Sequence, residues 1–106
     1  MTRLASELLV GAMLRRANDG GGFGVVRAKG DATGGGILVL TGEGADTVVL
    51  ERGLGATGEP ALIESRPSDS IEDYWRRRRA RDPDLWVIEL DIPQVKRLVA
   101  ETLGVD

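Results

Sequence analysis

The chain has 106 residues, 42% hydrophobic and 29% charged, the composition of one globular domain rather than of a disordered or fibrous segment. Neither cysteine nor histidine occurs, which excludes disulfides, thiolate or imidazole metal sites, cysteine nucleophiles and any Ser-His-Asp triad within this chain. The formal charge of −3 argues against a polyanion binder as a whole, but it is unevenly spread: residues 1–30 and 75–84 are net basic, and 31–74 are strongly acidic.

The opening MTRLASELLVGAMLRR is apolar for only a few residues at a time. It lacks the h-region of a signal peptide, and no later stretch approaches the about 18 apolar residues that span a membrane, so the expected compartment is the cytoplasm. SELLVGAMLRRAN, 6–18, reads as a helix, with Ser6 as N-cap and Leu9, Val10, Met13, Leu14 and Ala17 on one stripe. A short strand over Leu4–Val10 is the competing reading. FGVVRA (23–28), GILVLT (36–41) and DTVVLE (46–51) read as three strands of a meander. In the first, Phe23, Val25 and Arg27 point one way and Gly24, Val26 and Ala28 the other. ILVL is apolar on both faces, which suits an inner strand. Residues 52–60 read as loop, and ALIES (61–65) as a weaker fourth strand. A helix is expected over 69–81, capped by Ser68, loaded with acid in its first turn and closed by Pro83. LWVIELD (85–91) is the clearest strand, with Trp86, Ile88 and Leu90 on one face and Glu89 and Asp91 on the other. Pro93 opens a last helix whose stripe is Val95, Leu98, Val99 and Leu103, with Gly104 past its end. The order predicts a single α+β domain: a largely antiparallel sheet of four to five strands with the helices packed on one face.

Three stretches invite a chemical reading. The first is GGGFGVVRAKGDATGGG, Gly20 to Gly36. A Rossmann fingerprint would follow a strand and open a helix, and here the order is reversed with Val25 in place of the third glycine. A P-loop lysine is missing. GGFGVV resembles half of a kinase glycine loop, but no H-R-D or D-F-G follows. The loop therefore reads as a turn between strands, with Gly30 and Gly34–Gly36 supplying positive φ and Asp31 bonding the loop backbone. No nucleotide or other cofactor is implied.

The second is the run RRRRAR. On a helix Arg78 falls within the apolar face of Ile71, Tyr74 and Trp75, while Arg76, Arg77, Arg79 and Arg81 point around the axis. Glu72–Arg76 and Asp73–Arg77 are i,i+4 pairs in the favourable order. A solvated, salt-bridged surface helix explains the run, with a nucleic-acid contact through Arg76, Arg77, Arg79 and Arg81 as the functional alternative. The third is DPDLWVIELD. Asp82-Pro83-Asp84 reads as a helix-to-strand turn whose acids pair with Arg78 or Arg81. Glu89 and Asp91 share a face and leave weak metal binding, and with it a metal-dependent hydrolase, as a further alternative.

SELLVGAMLRRA, VVRAKGDATGGGILVL and above all RDPDLWVIELD resemble the DUF1491 family of short uncharacterised alphaproteobacterial proteins over nearly the whole chain. The resemblance implies a cytoplasmic bacterial protein of single-domain architecture and carries no catalytic or binding residue across. The leading expectation is a non-enzymatic module that binds a protein partner through a surface around Trp75, Arg78, Asp82, Asp84 and Trp86, since Trp and Arg most often anchor interfaces. Burial of both tryptophans would remove that surface. A homodimer through an exposed edge strand is the other protein-binding arrangement.

Overall fold

Three strands bury apolar residues on both faces, and all three lie inside the sheet, as that pattern demands. The computed structural model describes residues 4–105. Its elements are α1 (Ser6–Asp19), β1 (Phe23–Ala28), β2 (Ile37–Thr41), β3 (Val48–Leu54), β4 (Pro60–Ser65), α2 (Ile71–Arg81), β5 (Trp86–Asp91) and α3 (Val95–Leu103). The sheet order is β1-β5-β2-β3-β4, with β2 and β5 parallel and every other neighbour antiparallel. The chain is thus the mostly antiparallel α+β domain that the pattern predicts.

The meander is corrected. β5 inserts between β1 and β2, so the glycine-rich segment is not a hairpin loop. The reason is burial: Trp86, Val87, Ile88 and Leu90 are all buried, and only an inner slot covers both faces of such a strand. The expected loop 52–60 is also shorter. Arg52–Leu54 continue β3 because Ala61 and Leu62 pair back onto them, which leaves a tight turn closed by Gly55 N–H donating to the Glu59 carbonyl.

Placement of the helices on one face is corrected as well. Val10, Met13 and Ala17 of α1 and Leu98, Val99 and Leu103 of α3 pack on Ile37, Val39, Leu50, Trp86, Ile88 and Leu90. On the opposite face Leu38, Leu40, Val49, Leu85 and Val87 form a second apolar layer, and α2 covers it with Ile71, Tyr74 and Trp75. A sheet apolar on both sides needs a helix on each.

Three local expectations change for local reasons. Ser6 is not a cap: it is buried and its Oγ donates to the Gly35 carbonyl at 2.5 Å, while Ser6 and Glu7 N–H donate to Thr33 and Ala32 carbonyls. The cap of α2 is Ser70, whose Oγ accepts from Asp73 N–H, rather than Ser68. A bulge between Val26 and Ala28 turns Ala28 to the α2 side, away from Gly24 and Val26.

Candidate functional site

The glycine segment, the arginine helix and the Asp82-Pro83-Asp84 turn meet at one end of the sheet. Trp86 is only 4% exposed, so it belongs to the core rather than to a surface. Its indole Nε1 donates to the Asp31 carbonyl at 2.8 Å. Asp31 N–H donates to the Asp84 carbonyl, and the Asp31 carboxylate accepts from Thr33 and Gly34 N–H, as the sequence suggested. None of Gly30, Gly34, Gly35 and Gly36 supplies positive φ; Gly30 and Gly35 instead allow close approach, since a Cβ at either would overlap the Asp84 carbonyl oxygen.

Asp82 and Asp84 do not pair with the arginines. Asp82 Oδ1 accepts from Asp84 N–H and shapes the turn. Arg78 instead reaches across to β3, where its two Nη donate at 2.9 Å to the two carboxylate oxygens of Glu51, with Tyr74 Oη 2.8 Å away. The Glu51 carboxylate is the main cause of an Arg78 pKa raised above its ordinary value. Arg79 donates to the carbonyls of Leu85, Pro83 and Lys29, which pins the end of α2 to the start of β5.

Arg76 pairs with Glu72, and its guanidinium lies 5.0 Å over the half-buried Trp75 ring. Arg77 pairs with Asp69 at 2.5 Å, not with Asp73, and Arg81 is exposed. Of the four arginines considered for nucleic acid, two are thus held by carboxylates and one by carbonyls. An open cleft of about 470 Å³ runs past Arg78, Glu51, Arg52, Asp82, Leu54 and Leu9. Every named charge in it except Arg52 already serves the fold.

Glu89 and Asp91 share a face, and Glu89 accepts from Arg27 Nε at 2.9 Å and Nη2 at 2.6 Å. Among the described residues no three carboxylates converge. No helix of the described residues is long and apolar enough to cross a membrane.

The exposed edge strand that the sequence left unnamed is β1. Phe23, Val25 and Val26 are 41%, 37% and 38% exposed. Gly24 N–H points away from β5 and donates to Asn18 Oδ1 at 3.3 Å, so alternation turns the peptide groups of Val26 outward too. The available signal was a strand with apolar residues, Phe23, Val25 and Val26, on both of its sides.

These features define a small open-sheet α+β domain whose reactive side chains are mostly engaged with one another. The protein-family model described as "Protein of unknown function (DUF1491)" matches residues 4–100, and the chain belongs to that family. Among solved structures, it is similar to the crystal structure of a DUF1491 family protein from Caulobacter crescentus CB15, with 28% identity, TM-score 0.72, and coverage of 91% of this chain and 94% of that one. It is also similar to the solution structure of a protein from A. tumefaciens, with 26% identity, TM-score 0.72, and coverage of 99% and 98%. An NMR structure of a DUF1491 family protein from Caulobacter crescentus CB15 matches at 27% identity and TM-score 0.69, covering 92% and 94%. No curated protein matches the chain.

Proposed function

We propose that this domain is a protein-interaction module that receives an extended segment of a protein partner along β1. The observation that carries the reading is the unpaired edge of that strand, where outward peptide groups at Gly24 and Val26 adjoin three exposed apolar side chains. Backbone pairing supplies affinity in strand addition, and alternate side chains supply selectivity. The opposite edge suits this less well, since β4 begins at Pro60 and its Glu64 pairs with Lys96. Trp86 leaves the surface first considered for a partner, because it is buried.

The test is a library of extended peptides screened against the wild-type protein and Val26→Pro. Proline removes the outward N–H yet is tolerated at a sheet edge. The expected result is a set of binders that shift the Gly24 and Val26 amide resonances and are lost in Val26→Pro at an unchanged thermal midpoint. No binder, or equal binding by the variant, overturns the reading.

A further inference from the structure

Resting on that reading of β1 as a strand-pairing edge, we infer that one segment it accepts is β1 of a second copy, in a two-fold antiparallel pair centred on Val25. The geometry is self-complementary. In this register Gly24 and Val26 of one copy exchange N–H···O=C bonds with Val26 and Gly24 of the other, using the peptide groups that face outward. Asn18 Oδ1 releases the Gly24 N–H as the second strand takes it. Val25 stands opposite Val25 of the second copy.

Phe23 falls opposite Arg27 of the second copy, on the same face. The Arg27 guanidinium is already held in place there by Glu89, so a cation beside an aromatic ring needs little further ordering. The bulge at Val26/Ala28 then lies at the end of the ladder rather than inside it. A register centred on Val26 would instead draw Arg27 and the bulge into the middle.

The two-fold symmetry fixes the stoichiometry. β4, the other edge strand, begins at Pro60 and carries the Glu64–Lys96 pair, which makes it the poorer pairing edge. An isologous contact through β1 closes at two copies, because each β1 edge is used up by the other. A six-residue strand buries less than the about 1,200 Å² of a stable interface, so the dimer is weak and concentration-dependent.

The experiment is sedimentation equilibrium from about 20 µM to about 1 mM, the range that brackets a weak complex. Wild type, Val25→Lys, Val25→Glu and an equimolar mixture of the two variants are compared, with circular dichroism confirming the fold of each. The expected wild-type mass rises from 11.3 kDa toward twice that value. Each variant alone stays monomeric because like charges meet on the two-fold axis, and the mixture associates because opposite charges meet there. A wild-type chain that is monomeric throughout overturns the inference, and so does a mixture that behaves as its two components. The broader reading stands apart from this outcome: a chain that is monomeric at about 1 mM yet binds peptides at Gly24 and Val26 keeps the edge and loses only the second copy as its occupant.

Discussion

The Arg78–Glu51 pair joins α2 to β3, and its removal tests how α2 is held. The side chains are 34% and 22% exposed, and two N–O distances of 2.9 Å make the contact bidentate. Exposed pairs contribute about 0–1 kcal/mol, whereas removal of one partner from a buried pair costs about 3–5 kcal/mol. Partial exposure places Glu51→Gln and Arg78→Met between these limits, at about 2 kcal/mol each. The Coulomb attraction of unit charges 4 Å apart is about 4 kcal/mol at an effective dielectric of 20, and desolvation offsets part of it. A double-mutant cycle should therefore return a coupling of about 1.5 kcal/mol. The unfolding entropy of a chain this size converts 1 kcal/mol into about 4–5 °C, so each single variant should lose about 9 °C in a thermal melt. The double variant should be scarcely worse than Arg78→Met. Strict additivity, with coupling below about 0.5 kcal/mol, would refute the reasoning and leave α2 held by Ile71, Tyr74 and Trp75 and by the Arg79 hydrogen bonds.

Gly35→Ala places a Cβ against the Asp84 carbonyl oxygen, a backbone atom that cannot swing away, so a loss of about 3 kcal/mol or more is expected in urea unfolding. A loss under about 1 kcal/mol would mean that the glycine segment has room to spare. Trp86→Phe leaves the Asp31 carbonyl without its indole donor and should cost about 1–3 kcal/mol, with a chemical-shift change at Asp31 and Thr33. Acid should destabilise the fold through exposed carboxylates. Hydrogen bonds from Lys96 to Glu64, Arg77 to Asp69 and Arg97 to Glu101 hold these pKa values below the ordinary carboxylate range. A lowered folded pKa gives stability that is present above the unfolded value and disappears as pH falls through the folded one. Thermal midpoints should thus be flat above about pH 5 and fall below about pH 4, less steeply in high salt. A midpoint unchanged down to about pH 3 would show that these pairs hold no stability.

Elements were legible where burial has a period that the chain itself displays. WVIELD shows its core face as Trp86, Ile88 and Leu90, and α3 shows its stripe and its terminal Gly104 in the left-handed region. The order of the strands was not legible from adjacent pairs, because β1 and β2 have the look of a hairpin until β5 claims the slot between them. The partners of charged side chains were hidden for a related reason. The i,i+4 rule found Glu72–Arg76, but Arg78 takes Glu51 and Arg77 takes Asp69, and both choices depend on where α2 sits. Trp86 looked like an interface anchor because tryptophan often is one, while its burial in the α1 and α3 layer, with its indole bonded to the glycine segment, depends on where the sheet order puts β5.

The edge of β1 differs from those motifs in what the fold asks of it. The glycines, the Asp82-Pro83-Asp84 turn and most of the arginine run satisfy carbonyls, carboxylates or close backbone contacts within the domain. β1 has no buried residue at all, although it pairs with β5, four of whose six residues are buried. That duty needs a backbone ladder and residues of high strand propensity, which threonine would meet as well as valine. Apolar side chains on an open edge carry an aggregation hazard that proteins ordinarily suppress with lysine or proline on that edge. Here Pro60 and the Glu64–Lys96 pair guard the far edge, and Phe23, Val25 and Val26 stand exposed on the near one. Side chains that the core does not bury and solubility disfavours are explained most simply by burial in a complex, which is why β1, rather than the arginine helix, carries the functional reading.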